Sequence, residues 1–147
     1  MPKCNGCTLC CYLFNIPNLN KNSNTECYYC NNIGCSIYNN RPDYCKGFNC
    51  AYLQQKNPDI RLRPDKCGVV FEKINDWLFH GTMDDRNQFS DTAKAQISAF
   101  NKQGYSVVIK LKDKKYFFPT DGNTIQSIIL ALNKFLRVKY GSSNLHN

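Results

Sequence analysis

Residues 4–11 read Cys4-Asn5-Gly6-Cys7-Thr8-Leu9-Cys10-Cys11, a C-x2-C-x2-C-C run, and residues 34–50 read GCSIYNNRPDYCKGFNC. Between them Cys27 and Cys30 form a second C-x2-C, and Cys67 closes the series. All ten cysteines of the 147-residue chain thus lie in its first 67 positions. Dense cysteine usage marks either a disulfide framework in an oxidising compartment or metal binding inside the cell. The N-terminus runs straight into cysteines with no apolar leader or small-residue cleavage site, so no signal peptide is expected and the chain is read as cytoplasmic. The expectation is therefore metal binding.

The spacing refines it. A C-x2-C turn sets two sulfurs about one metal-ligand edge apart, and the turn's N–H groups stabilise the thiolates that bind metal. Adjacent Cys10 and Cys11 project differently and suit two metals, or one metal and one bridging role; a vicinal disulfide would be strained. All-thiolate sites suit Zn²⁺ and iron–sulfur clusters alike. Cys4, Cys7 and Cys10 match the start of a bacterial ferredoxin motif, but Phe14 stands where its fourth cysteine belongs. His80 and His146 are distant in sequence, so a Cys/His zinc finger is poorly supported. The candidate ligands are Cys4, Cys7, Cys10, Cys11, Cys27, Cys30, Cys35, Cys45, Cys50 and Cys67. They would serve two or three zinc ions, or alternatively an iron–sulfur cluster.

These segments resemble the CxxCxxCC (YkgJ-type) family of zinc- or iron-chelating cysteine-cluster proteins. The resemblance rests on Cys4 to Cys11 and on Gly34 to Cys50, which reproduces the family's G-C-x-I-Y-x-x-R-P-x-x-C-x-x-F-x-C segment, and it covers about residues 1–67. It implies Cys4, Cys7, Cys10, Cys11, Cys27, Cys35, Cys45 and Cys50 as the ligand positions. Cys30 falls where an apolar residue is expected, as an addition or a substitute ligand. Cys67 lies outside the motif, either completing a site or standing as a buried thiol. Related proteins include iron–sulfur oxidoreductases and flagellin lysine methylases, so the resemblance leaves enzymatic activity open. Arg41 is expected to offset thiolate charge, since eight thiolates around two Zn²⁺ carry about −4.

The composition changes near Cys67, giving an expected cysteine-cluster lobe over 1–67 and a small α+β lobe over 68–147. The first is rich in Asn and Cys, and segment 15–26 reads as a polar loop. Its aromatic and aliphatic residues make a small core that metal would supplement. In the second, 68–74 and 76–82 read as strands. Residues 91–103 read as a helix capped by Asp91, with Ala95, Ile97, Ala99 and Phe100 inward and Gly104 as its stop. Residues 105–112 and 114–119 read as a hairpin. Thr124 is the expected cap of a last helix, with Ile125, Ile128, Ile129, Leu132, Phe135 and Leu136 on its apolar face. The ββαββα order predicts an antiparallel sheet with both helices on one face, following an irregular cysteine-rich metal-binding lobe.

Other functions have less support. The net charge of +8 is shared equally by the two halves, with no basic tail. Lys110, Lys112, Lys114 and Lys115 beside Tyr116-Phe117-Phe118 resemble a nucleic-acid surface. A solvated, aggregation-resistant strand explains them as well and is favoured. Asp76, Asp84 and Asp85 read as loop solubilisers, His80 as packed or exposed, and Trp77 as core. No catalytic constellation, nucleotide loop or hydrolase motif is present. No apolar run approaches the ~18–20 residues that span a bilayer. The expected partners are metal ions; a protein partner stays open, nucleic acid is disfavoured, and no membrane is involved.

Overall fold

Up to Cys67 the chain builds only short elements, because turns between closely spaced cysteines leave no room for long periodic ones. The computed structural model describes residues 4 and 6–141. Residues 1–3, Asn5 and 142–147, with His146 among the last, lie outside the described residues. The first half holds α1 (Leu9–Leu13), the two-residue strands β1 (Cys30–Asn31) and β2 (Gly34–Cys35), and the single-turn helices α2 (Asp43–Lys46), α3 (Ala51–Gln54) and α4 (Pro64–Cys67). The second half holds β3 (Val69–Asn75), β4 (Leu78–Met83), α5 (Asp91–Lys102), β5 (Ser106–Leu111), β6 (Lys114–Phe118) and α6 (Ile125–Tyr140).

The architecture is α+β, as the order of elements predicts, with a two-stranded antiparallel ladder and a four-stranded sheet. The large sheet is not wholly antiparallel. Its order is β3-β4-β5-β6, and the central β4–β5 pair is parallel, with Leu78 opposite Ser106 and Thr82 opposite Lys110. The reason lies in the connection. Parallel strands need a crossover of about a dozen residues or more, and α5 supplies it between β4 and β5.

Side chains alternate across the strands, so each sheet face takes its own cover. On one face Val69, Phe71, Phe79, Val107 and Ile109 pack against Ala93, Ile97 and Phe100 of α5, with Phe79 stacked on Phe100 at 4.0 Å between ring centroids. On the other, Leu78 and Val108 meet Ile128 and Leu132 of α6. Helices therefore cover both faces, not one. Val70, on the α6 side of β3, packs instead against Leu9, Leu13 and Cys50, which seats the cysteine-rich half on the sheet.

Two helix readings change in detail. Ser90, not Asp91, caps α5: its hydroxyl accepts the Ala93 N–H and donates to the Cys67 carbonyl. The buried stripe of α5 is Ala93, Ile97 and Phe100, while Ala95 is exposed. Thr124 caps α6 in a reciprocal box with Ser127, yet Ile125 and Ile129 face outward.

A polar latch joins the sheet's end to α1. The Tyr12 hydroxyl donates to Asp85 at 2.9 Å, and the Arg86 guanidinium lies 3.7 Å from the Tyr12 ring centroid. Arg86 also pairs with buried Asp84 at 2.9 Å and with Glu26 at 3.2 Å. The Asp84–Asp85 pair is thus structural and not a solubilising loop.

Gly81 sits where α5's face is tightest. A Cβ there would lie 2.5 Å from Ile109 Cδ1 and 2.9 Å from Val69 Cγ1. Gly81→Ala is expected to lower stability by about 1–3 kcal/mol through overpacking. Thermal melting checks this; an unchanged or higher midpoint would show that the neighbouring side chains repack without cost.

Candidate metal centre

Both C-x2-C segments are tight turns, with the Cys7 N–H donating to the Cys4 carbonyl at 2.7 Å and the Cys30 N–H to the Cys27 carbonyl at 3.0 Å. Gly6 makes the first turn with φ of +83°, a left-handed conformation open to glycine at no steric cost. The β1–β2 ladder sets Cys30 opposite Cys35, and its turn is held by Asn31 Oδ1, which accepts the Ile33 and Gly34 N–H groups. Pro42 opens α2, which carries Cys45, and Cys50 stands just before α3 with its backbone bridged to Glu72 of the sheet.

These local devices bring residues from five segments around one cavity of about 110 Å³. One water requires only ~10–15 Å³. Cys4, Cys7, Cys10, Cys11, Cys27, Cys35, Cys45 and Cys50 all line it, among Phe14, Ile37, Tyr38, Arg41, Phe48 and Val70. Cys30 and Cys67 are not in the lining. Cys30 stands behind it and donates its thiol hydrogen to Cys11. Cys67 is buried in the α5-facing core, its Sγ donating to the Val69 carbonyl at 3.3 Å. None of the ten cysteines is in a disulfide.

The electrostatics of the cavity are uneven. Burial raises the thiols of Cys4, Cys35 and Cys50, and lifts Cys7 to about 12 and Cys45 to about 11. Cys11 goes the other way, to about 6. Its sulfur accepts a hydrogen bond from Cys10, which outweighs burial; the Cys30 thiol and the charges of Lys21 and Arg41 add to the effect. Cys10, which gives that hydrogen bond, is correspondingly held protonated.

Two cations serve this site. Arg41, expected from the sequence, lies 3.9 Å from the Tyr38 ring centroid and lines the cavity. Lys21 was not legible in its Asn-rich loop. It is 6% exposed, and its ammonium donates to the Tyr12 carbonyl at 2.5 Å and the Phe14 carbonyl at 2.6 Å. Burial lowers its pKa, while Cys27, Cys11, Cys10 and Cys30 oppose the shift. A lysine in a polar loop gives no sequence signal of this role, since nothing in its neighbours marks the tight local bridge between Ile16 and Lys21 that folds it inward.

The lining suits a thiolate-bound metal in two respects. Its donors are of one chemical type and share one space. Arg41 Nε is the single buried side-chain nitrogen or oxygen among the described residues with no hydrogen-bond partner. Such a donor costs ~1–3 kcal/mol unless satisfied, and an anionic sulfur in the cavity would accept from it. Among the described residues, no three His, Cys, Asp or Glu side chains stand ready to hold an ion without moving.

No family model, curated protein or solved structure matches this chain. No helix among the described residues is long and apolar enough to cross a membrane.

Replacing Lys21 tests the cation's part. Lys21→Met leaves two carbonyls without their donor and removes a charge beside four thiols. It is expected to cost about 2–3 kcal/mol in thermal or urea unfolding. A loss below ~0.5 kcal/mol would place Lys21 among ordinary surface lysines.

Proposed function

We propose that this is a metal-binding protein whose centre is held by thiolates of Cys4, Cys7, Cys10, Cys11, Cys27, Cys35, Cys45 and Cys50, in a cytoplasmic setting that keeps them reduced. The observation that carries the reading is the gathering of eight cysteines, spread over 47 positions of sequence, around one cavity. The resemblance to CxxCxxCC proteins supports it, because it implies the same eight positions. Metal would organise residues 4–50 into a structural or recognition module and supply cohesion that their small core lacks. Lys21 and Arg41 would offset the remaining negative charge.

Zinc, as two or three ions held by these thiolates, is the first reading. A specific observation favours an iron–sulfur cluster as the second: the thiols line a hollow, which inorganic sulfide would fill. Bound zinc would supply a crosslink, whereas an iron–sulfur cluster would supply one-electron transfer. In either case the chain's own residues exclude water through Phe14, Phe48, Ile37 and Val70 and present the Arg41 N–H to a sulfur.

Elemental analysis of protein purified without oxygen tests this reading. Stoichiometric zinc in colourless protein supports the first form. Iron and sulfide with absorption near ~400 nm support the second. Protein that is folded and free of both would refute metal binding. Cys10→Ser and Cys45→Ser are expected to release metal and lower the melting temperature, while Cys67→Ser retains the metal. Unchanged metal content in both cavity variants would remove those residues from the ligand set.

A further inference from the structure

A second cavity, of about 470 Å³, opens on the α6 face of the large sheet, a volume within the ~300–1,000 Å³ range of small-molecule sites. Its floor is a polar row across all four strands: Glu72, His80, Thr82, Lys110 and Lys115. Register sets Glu72 opposite His80, Thr82 opposite Lys110, and Lys110 opposite Lys115. Its walls set the rings of Phe48, from the cysteine-rich half, and Phe135, from α6, beside the polar Asn15, Ser23 and Asn24.

The charges on this floor do not balance locally. Glu72 is already ion-paired with Lys139, whose ammonium also lies 5.3 Å from the Phe48 ring centroid and 5.2 Å from that of Phe135. Lys112 pairs with Asp85 at 3.4 Å. Lys110 and Lys115 remain. They face each other directly on adjacent strands, an arrangement of like charges that destabilises a sheet. Neither makes a hydrogen bond or ion pair within the described residues, and Asp113, which also lines the cavity, is the carboxylate whose field reaches Lys110. Burial, reinforced by the two lysines, pushes His80 down to about 4, so its imidazole is neutral at physiological pH and offers one N–H. Thr82 and Asn133 add a hydroxyl and an amide. The half-buried placement of Lys110 at the floor of a cleft suits a compact ligand better than a polynucleotide backbone.

We propose that this cavity binds a small organic anion, its carboxylate or phosphate held by Lys110 and Lys115 and its apolar body set against Phe48 and Phe135. The site stands apart from the metal reading, since none of its lining residues is a cysteine. The two cavities nevertheless share Phe14, Tyr44, Phe48 and Val70 as a common wall, so the anion would lie one layer of side chains from the thiols.

Isothermal titration of the full chain with phenyl phosphate, benzoate, inorganic phosphate and a single-stranded oligothymidylate tests the proposal. Saturable 1:1 binding of phenyl phosphate or benzoate is expected, tighter than inorganic phosphate by at least tenfold, and the stronger of the two identifies the head group. Lys110→Met with Lys115→Met should weaken binding at least tenfold with circular dichroism and metal content unchanged. Lys115→Met alone, at an exposed position that folding does not need, should weaken it at least threefold, and Lys114→Met should not alter it. Absence of saturable binding by either aromatic probe, or equal affinity in the Lys115→Met variant, would overturn the proposal. Oligothymidylate binding without binding of the small probes would also overturn it, in favour of a nucleic-acid surface.

Discussion

Crowded thiols cannot all ionise together. Each thiolate placed in a half-buried cavity raises the cost of the next, and a low local dielectric magnifies that cost. The cavity shows the result: burial holds Cys7 at about 12 and Cys45 at about 11, and Cys11 alone is driven down, to about 6. Only a multivalent cation stabilises many thiolates together. That constraint links the rest of the structure, from the inward fold of Lys21 to the unmet donor of Arg41.

The sheet supplies what the cysteine-rich half lacks. Short turns around cysteines bury little apolar area, and a region of that size rarely holds itself together without crosslinks or metal. Here it is seated on a conventional core. Val70 shares a cluster with Leu9, Leu13 and Cys50, while the Tyr12–Asp85 hydrogen bond and the Arg86 network tie its other edge. The two halves therefore meet at β3, whose alternating side chains serve α5 on one face and the thiol cavity on the other.

Much of this organisation was legible in residue order. Runs of β-branched and aromatic residues located the strands, and Gly104 and Thr124 marked helix ends where the structure has them. The parallel β4–β5 pairing was not, because hydrophobic alternation reports a strand's faces but not its neighbour's direction; the long α5 connection was the overlooked clue. Ala95 and Ile129 misled for a related reason, since an apolar residue near a helix stripe is as readily exposed as buried. At the cavity, spacing pointed to all ten cysteines, and only the family resemblance set Cys30 and Cys67 apart from the other eight. Cys67 is kept from the lining by the core that takes it in, and Cys30 stands outside it with its thiol hydrogen-bonded to Cys11. Lys21 was invisible because a polar, Asn-rich loop carries no sign of the turn that folds it back onto the Tyr12 and Phe14 carbonyls.

X-ray absorption at the metal edge of protein purified without oxygen tests the central claim most directly, because it counts the atoms touching the metal. An all-cysteine centre predicts a first shell of sulfur alone, near ~2.3 Å for either zinc or iron. A first shell containing nitrogen or oxygen, or the absence of bound metal from the folded protein, would contradict it.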